Sequence, residues 1–276
     1  MPKKKPARRA PLPPFDKYLY YTQAVQAPDE NMAFLRDIYR EQRGQERAGL
    51  TLREDFCGSF ANSIAWVLLD DHNVAHGLDI DPEPLEYGRR QYLPTLPPEV
   101  LRRVHISQGD VLESPLATCD IAAALNFACC FFRERKTLSR YLTRVRDSLA
   151  PGGVFVTDLL GGPFYQDENE HELELDEPHP FSYFLEQTRF DPITAEGDFA
   201  IHFKREGESK RRAVFTYTFR LWSIPELRDL LLELGFSDVK VYWEGSKRDG
   251  SGNGIWRVET HGDSCDSWLA YIVALK

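Results

Sequence analysis

The feature that most constrains the fold of this chain is the regular alternation of apolar runs with amphipathic segments between residues 51 and 160. Apolar runs such as NVAHGLDI and CDIAAALNF have the length and character of buried strands. Segments such as RKTLSRYLTRVRDSLA, which separate them, carry apolar residues at helical spacing. Strands that alternate with helices form βαβ units, whose strands lie parallel. The pattern therefore predicts an α/β protein built on a doubly wound parallel sheet.

Two further strands, DVKVYWEG and WLAYIVALK, bring the predicted sheet to seven strands. Between them, GSKRDGSGNGIWR is rich in glycine and is expected to form a mobile loop. We predict that residues 50–165 and 223–276 together form the sheet and its flanking helices. Residues 15–49 are predicted to form a helical cover, because apolar residues such as Met32 and Leu35 recur there at helical spacing.

Residues 166–222 depart from this alternation. Three β-rich runs, FSYFLEQTRFD, DFAIHFKREG and SKRRAVFTYTFRLW, are separated by turn residues, and the acidic stretch DENEHELELDEPHP before them reads as a loop. Neighbouring strands with short connections predict an antiparallel meander, which we interpret as a β-rich substrate lid. At the other end, residues 1–14, MPKKKPARRAPLPP, are basic and proline-rich and are predicted to be a disordered tail.

Charge and cysteine content exclude several classes of function. A formal net charge of −9 argues against a broad nucleic-acid-binding surface. The five cysteines show neither CxxC spacing nor histidine partners at zinc-site distances, so we expect reduced thiols, no metal and a cytoplasmic location. No apolar run approaches the roughly 18 residues of a membrane span, so no membrane partner is expected.

Polar residues follow the predicted strands at the edge where open parallel sheets bind ligands. Asp79 lies 21 positions after Gly58, close to the spacing of a ribose-binding carboxylate, although it could instead cap the next helix. Asp110 beside Val111 offers an acceptor and an N–H group to an adenine ring, or serves only as a turn residue. Phe60 stands where a dinucleotide fingerprint has glycine, which argues against a nicotinamide-dependent oxidoreductase.

In order along the chain, LREDFCGS, HGLDIDPEPL, QGDVLE, DIAAALNFACCFF, LTRVRDSLAPGGVFVTD and ELRDLLLELGFSDVKVY resemble the motifs of the class I S-adenosylmethionine-dependent methyltransferases. The chain is also similar to a bacterial subgroup of that superfamily that shares RLWSIPEL, VYWEG and GNGIWR-like segments. The resemblance implies a Rossmann-like sheet, S-adenosylmethionine as cofactor and methyl transfer as the activity. It does not identify the methyl acceptor.

The resemblance also assigns roles at the cofactor site. Glu54 or Asp55 contacts the methionine part of the cofactor, and the alignment favours Glu54. Ile80 packs on adenine, and Asn126, which could also be an ordinary loop cap, lies near the sulfonium. Phe56 is a departure from the family, because glycine is common at that position. The implied cofactor-binding residues are Arg53, Glu54, Cys57, Gly58, Ser59, Asp79, Ile80, Asp110, Val111 and Asn126.

Methyl transfer from a sulfonium needs mainly correct positioning, so no fixed catalytic motif is expected. The candidate catalytic residues are Asn126, Tyr21, Arg220 and Glu244. The candidate substrate contacts are Tyr20, Tyr183, Trp222 and Trp243. A small-molecule acceptor is the main hypothesis. The alternatives are a methyltransferase that acts on RNA or protein with help from the basic tail, and a non-catalytic interaction protein that retains the fold.

Overall fold

The computed structural model describes residues 12–44, 47–247 and 251–276. Most of the predicted basic tail, residues 1–11, lies outside this described part. The described helices are α1 Lys17–Val25, α2 Pro28–Arg43, α3 Ala61–Leu69, α4 Pro82–Gln91, α5 Pro98–Leu101, α6 Arg135–Ser148 and α7 Ile224–Glu233. The described strands are β1 Thr51–Asp55, β2 Val74–Asp79, β3 Val104–Gln108, β4 Cys119–Ala124, β5 Leu149–Gly161, β6 Asn169–Leu175, β7 Phe181–Asp191, β8 Glu196–Arg205, β9 Arg211–Arg220, β10 Asp238–Ser246, β11 Gly252–Val258 and β12 Trp268–Leu275.

The larger of two sheets has the strand order β11-β10-β12-β5-β4-β1-β2-β3. Strands β1 to β5 are mutually parallel, and β12 runs antiparallel between β5 and β10. The predicted doubly wound α/β sheet is therefore confirmed. The order reverses between β1 and β4, which makes the carboxyl ends of these two strands the switch point where such sheets bind ligands.

The sheet has eight strands rather than the predicted seven. The additional edge strand, β11, comes from the glycine-rich segment that we expected to be a mobile loop, and it pairs antiparallel with β10. Trp256 on β11 packs against Phe34 of α2 and Tyr271 of β12, with ring centroids 6.1 and 4.8 Å away. Aromatic packing therefore fixes a strand whose glycine content had suggested a loop.

A second sheet of four antiparallel strands has the order β6-β7-β8-β9, one strand more than the predicted meander. The additional strand, β6, comes from the acidic stretch that we interpreted as a loop. Most of its residues are exposed, so it lacks the apolar alternation that identifies a strand in a sequence. It forms a strand because it pairs with β7 in an antiparallel register along its whole length.

Helices cover both faces of the larger sheet. On one face, α6 and α7 contribute Leu138 and Leu227 to a core around Phe155 of β5. On the other, α2 and α3 contribute Leu35 and Trp66 to a second core. Helix α1 instead packs against the smaller sheet. None of the helices in the described ranges has the length and apolar content needed to span a bilayer.

Candidate functional site

The turn between β1 and α3 is built from left-handed backbone. Gly58 has a φ of +52°, and the flanking Phe56 and Phe60 have φ values of +60° and +53°. This conformation costs an L-residue about 1–2 kcal/mol, and such strain clusters at functional sites. The two phenylalanines therefore keep the backbone shape that glycine ordinarily supplies. A Cβ built on Gly58 would meet nothing within 4 Å, so the turn faces open space.

Packing compensates for the strained backbone at Phe60. Its side chain is fully buried with Leu85 of α4, and its ring lies 6.0 Å from the ring of Tyr92. Gly88 on α4 makes room for this ring, because a Cβ there would lie 2.5 Å from it and 2.3 Å from the Ser59 carbonyl oxygen. Cys57 is buried in the same cluster, and burial raises the pKa of its thiol well above the ordinary value. Cys57 is therefore a packing residue.

The adjacent acids at the end of β1 point in opposite directions and have different partners. Asp55 is fully buried and receives two hydrogen bonds from the Arg53 guanidinium, at 2.9 and 3.0 Å, and one from Tyr141 at 2.9 Å. Its charge is therefore balanced. The Arg53 guanidinium also donates to the Ala117 carbonyl at 3.1 Å. These contacts leave the Arg53 side chain in the interior, so we remove it from the implied cofactor contacts.

Glu54 is buried without a cationic partner among the described residues. Its carboxylate accepts hydrogen bonds from the Asn62 amide at 2.9 Å and from the Ser63 N–H and hydroxyl at 3.0 and 2.6 Å. Burial raises its pKa to about 7 despite these bonds. The Asn62 Oδ1 atom beside it is buried and has no hydrogen-bond partner. A ligand that brings a positive charge and N–H donors would satisfy both the buried acid and the unpaired acceptor.

Asp79 joins the end of β2 to the β1–α3 turn. Its carboxylate accepts from the Gly58 N–H at 2.7 Å and from the Asp81 N–H at 2.9 Å. It does not cap α4, because Asp81 occupies the N-cap and accepts from Glu83. Burial is the main cause that raises the pKa of Asp79. Ile80 next to it is 62% exposed, which leaves an apolar surface available to a flat ring.

Asp110 and Val111 follow β3 on the same edge of the sheet. The Asp110 carboxylate accepts from the Leu112 N–H at 2.8 Å, which is the geometry of a turn residue. Val111 is buried, and its carbonyl accepts from Arg144 of α6 at 3.0 Å. The turn role of Asp110 is thus present in the structure, and a contact of either residue with adenine stays a prediction.

The end of β4 carries a second strained turn. Asn126 and Phe127 are consecutive left-handed residues with φ values of +58° and +61°. Their N–H groups donate to the two carboxylate oxygens of Asp158 on β5, at 2.9 and 2.7 Å. Sequence reasoning missed Asp158 because it lies inside β5, which continues to Gly161; the signal that could have found it is a lone acid within the apolar run GGVFVTDLL.

Tyrosines from the smaller sheet and from α1 gather beside this turn. Tyr21 of α1 hydrogen-bonds to Tyr217 of β9, and Tyr183 of β7 lies close enough to both for their charges to interact. Burial is the first cause that raises the pKa of Tyr21 well above its ordinary value, and the negative charge of Asp158 contributes. Tyr21 is therefore a neutral phenol at neutral pH, and a catalytic role for it stays a prediction.

Two of the predicted substrate contacts lie in the protein interior instead. Tyr20 is 1% exposed and packs against Phe181, with ring centroids 4.8 Å apart. Trp222 is 2% exposed, and its indole N–H donates to the Phe132 carbonyl at 2.9 Å. The candidate catalytic residue Arg220 stacks on Trp222 at 3.7 Å and donates to backbone and carboxylate oxygens. These three residues hold the core and the start of α7, so we withdraw their proposed roles.

Trp243 and Glu244 lie at the carboxyl end of β10, where they line a cavity of about 240 Å³. The Trp243 ring packs 5.7 Å from Trp268, and the Glu244 carboxylate accepts from the Gly254 N–H at 2.7 Å. In the strand order, β10 is separated from β4 by β12 and β5. Three strand spacings correspond to about 14 Å. The structure therefore does not bring Glu244 next to Asn126.

A cluster with the composition of a metal site lies on the smaller sheet, where ligand atoms of Glu170, Glu186 and His202 fall within 4.8 Å of one another. His202 Nδ1 accepts a hydrogen bond from the Ala213 N–H at 2.8 Å, so its proton resides on Nε2, which lies 2.7 Å from Glu186. A metal would need that Nε2 lone pair. Glu170 is already paired with Lys210. The arrangement fits a closed hydrogen-bond network and does not fit a metal centre.

Comparison of the sequence gives no match to a family model and none to a curated protein. Comparison of the structure finds CalS10, an amino pentose methyltransferase from Micromonospora echinaspora described with bound SAM, at a TM-score of 0.66 and 17% identity over 97% of this chain and 99% of that one. A S-adenosylmethionine-dependent methyltransferase from Clostridium acetobutylicum matches at 0.66 and 15% over 94% and 96%. The CcbJ methyltransferase from Streptomyces caelestis matches at 0.64 and 16% over 91% and 96%. At these identities the likeness establishes a shared fold, and in each case it extends over nearly the whole chain.

Proposed function

We propose that this protein is an S-adenosylmethionine-dependent methyltransferase that acts on a small-molecule acceptor. The observation that carries the proposal is the buried and unbalanced carboxylate of Glu54 beside the unsatisfied Asn62 oxygen. The methionine part of the cofactor carries an ammonium group that supplies both a positive charge and N–H donors. Binding it would lower the free-energy cost of burying ionised Glu54.

The rest of the cofactor would follow the ends of β1, β2 and β3. Asp79 has two carboxylate oxygens that hold the turn, and their remaining lone pairs are available to ribose hydroxyls. The exposed side chain of Ile80 would pack on adenine. We retain Gly58 and Ser59 as the turn against the cofactor, Asp110 and Val111 as contacts to the adenine edge, and Asn126 as the residue nearest the sulfonium.

The smaller sheet and α1 would form the acceptor side. Helix α1 is fastened to the smaller sheet through Tyr20 and to α4 through Lys17, whose ammonium lies 2.6 Å from Glu83. The Tyr18 ring packs 4.8 Å from that of Tyr87, and Asp79 is among the carboxylates near Tyr18, so α1 would lie beside Asp79. Such a cover would exclude water and orient the acceptor, which is the main contribution a protein makes to an in-line displacement.

A small-molecule acceptor is favoured over RNA or protein. The net charge of −9 disfavours binding to nucleic acid. CalS10, which this chain matches over almost its full length, is described as an amino pentose methyltransferase. We also propose a cytoplasmic location, because the five cysteines are free thiols and four of them are buried.

Isothermal titration with S-adenosylhomocysteine tests the proposal. We expect binding by the wild-type protein and a loss of more than about 100-fold in Asp79→Ala, because two ribose contacts and the support of Gly58 disappear together. Asp81→Ala is the matched control, since it removes only the cap of α4 and should lower stability by about 1 kcal/mol while affinity stays within about twofold. Wild-type protein that fails to bind would refute the proposal, and equal affinity in Asp79→Ala would refute the assigned site.

The macromolecular alternative is separated by deleting residues 1–11, which carry the basic tail. The deletion should leave methyl transfer to small molecules in a cell extract unchanged, measured with isotope-labelled S-adenosylmethionine. If transfer to the RNA or protein fraction were detected and the deletion abolished it, the alternative would be favoured.

A further inference from the structure

Three buried carboxylates lie along the carboxyl edge of the larger sheet, and they differ in how their charge is balanced. Asp55 is paired with Arg53. Glu54 is the acid for which the proposed function supplies the cofactor ammonium. Asp158 is 5% exposed, and only the backbone N–H groups of neighbouring residues stabilise its charge among the described contacts. Asp158 is therefore a buried anion that neither the described residues nor the proposed cofactor contacts balance.

The position of Asp158 assigns it to the acceptor side. It lies on β5, beyond β4 from the cofactor strands β1 and β2. Its two oxygens receive the N–H groups of Asn126 and Phe127, so the same carboxylate also holds the turn that presents Asn126. Each oxygen retains a further lone pair for another donor. Burial raises the pKa of Asp158 to about 6, which leaves the carboxylate ionised at neutral pH.

The groups that face Asp158 are neutral at that pH. Tyr271 lies directly opposite it on β12, and Tyr21 approaches from α1. Cys129 and Cys130 lie near it on a short 3-10 helix, Ala128–Phe131, and burial raises the pKa of both thiols well above the ordinary value. Aromatic faces and a buried carboxylate are the surroundings that recognise a cation.

We propose that Asp158 is the counter-ion of a cationic acceptor, so that the methylated group is an amine that binds in its protonated form. This inference rests on the proposed function. The bound ammonium gives one proton to the Asp158 carboxylate, and the freed nitrogen lone pair forms a bond to the methyl carbon. The carbon–sulfur bond breaks, its electron pair stays on sulfur as a neutral thioether, and the nitrogen, neutral after its deprotonation, becomes positively charged as it bonds to the methyl group. Asp158 then returns its proton to solvent.

The other cation available to Asp158 would be the sulfonium of the cofactor, and affinity measurements separate the two. S-adenosylmethionine carries this charge and S-adenosylhomocysteine does not. If Asp158 pairs with the acceptor, Asp158→Asn should change the affinities for both compounds by the same factor. If the ratio of the two affinities fell about tenfold in the variant, the sulfonium would be the partner and the proposal would be overturned.

A labelling experiment tests the acceptor class without knowledge of its identity. Wild-type protein is given isotope-labelled S-adenosylmethionine and a small-molecule cell extract, either untreated or treated with acetic anhydride to acetylate its amines. We expect acetylation to remove at least about nine-tenths of the transferred label, because an amide is neither cationic nor nucleophilic. Undiminished transfer of label to the acetylated extract would overturn the proposal. This result needs only the wild-type protein, so it does not depend on whether the variants fold.

The variants complete the test. Asp158→Asn should lower transfer to the untreated extract about 100-fold, the typical effect of removing one partner of a buried charge pair. Asp198→Asn, which alters an exposed carboxylate paired with Arg189 on the smaller sheet, is the matched control and should transfer at the wild-type rate. Undiminished transfer by a folded Asp158→Asn protein would overturn the role of Asp158. If the wild-type protein did not bind S-adenosylhomocysteine, the result would instead refute the proposed function.

Discussion

The carboxyl edge of the larger sheet and the smaller sheet both bury charged side chains, but they balance them differently. In the smaller sheet, the buried cation Arg205 donates to the Glu208 carboxylate at 3.0 Å, and the neutral imidazole of His202 is hydrogen-bonded to Glu186. At the carboxyl edge, Glu54 and Asp158 receive hydrogen bonds only from neutral donors among the described residues. A charge that the fold balances internally contributes to structure, whereas a charge left unbalanced raises the free energy of the unliganded protein and favours a ligand.

The strongest test of this comparison is Asp55→Ala, because Asp55 lies at the carboxyl edge but is paired. If pairing rather than position in the fold separates structural charges from ligand-binding charges, substitution of Asp55 should lower the stability of the protein. It leaves the buried Arg53 charge without a partner, so we expect the free energy of unfolding to fall by about 3–5 kcal/mol. Chemical denaturation would measure this, and a loss below about 1 kcal/mol would contradict the comparison.

Gly88→Ala tests whether packing from α4 maintains the strained turn at the carboxyl edge. The added methyl group would lie 2.3 Å from the Ser59 carbonyl oxygen and 2.5 Å from the Phe60 ring. We expect the unfolding free energy to fall by about 3 kcal/mol and S-adenosylhomocysteine affinity to fall with it. Gly207→Ala is a control for backbone strain alone: its φ is +80° and a Cβ there meets nothing within 4 Å, so it should cost about 1–2 kcal/mol and leave the affinity unchanged. Normal affinity in Gly88→Ala would show that the turn does not depend on α4.

His202→Ala tests the smaller sheet as the balanced region. The substitution removes the partner of Glu186 and the acceptor of the Ala213 N–H, which should cost about 2 kcal/mol of stability. Titration with S-adenosylhomocysteine should give the wild-type affinity, since the network contributes nothing to the cofactor site. A tenfold change in that affinity would mean that the two regions are coupled.

Glu54→Gln has the smallest expected effect and the sharpest signature. The Asn62 amide can rotate so that its unsatisfied oxygen accepts from the new amide, so the isosteric side chain should fit. We expect about tenfold weaker S-adenosylhomocysteine binding, from loss of charge, with no loss of stability. Because the wild-type pKa is about 7, affinity should weaken as pH falls below about 7 and level off above it. The variant should lack this dependence, and a pH profile identical to that of the wild type would contradict the role of Glu54.

The free energy of unfolding should respond to Glu54 with the opposite sign. Its folded pKa of about 7 lies above the ordinary value of 4.5, so the folded protein binds more protons between these limits. Stability of the unliganded protein should therefore fall as pH rises from about 4.5 to 7, and Glu54→Gln should remove that contribution. Thermal melts without ligand would measure this difference.

Periodicity predicted the parallel sheet because buried parallel strands are continuous apolar runs, and the strand-end rule directed attention to Asp79. The same reasoning missed β6, whose side chains are mostly exposed, and β11, whose glycines resemble those of a loop. It also selected Tyr20 together with Tyr21. Adjacent helical residues point about 100° apart, so only the tertiary packing decides which tyrosine enters the core and which faces Asp158.

Because Phe56 and Phe60 adopt left-handed backbone, a pattern that requires glycine at these positions does not find this turn in the sequence. Profiles of nucleotide-binding turns score glycine at such positions, so they score residue identity rather than the torsion angle that the ligand requires. Here the torsion angle is kept without the glycine, at φ values of +60° and +53°. The chain matches no family model, while its backbone is similar to solved methyltransferase structures at 14–17% identity. A search for similar turns should combine an aromatic residue at either position with a glycine on the facing helix, as Gly88 faces Phe60.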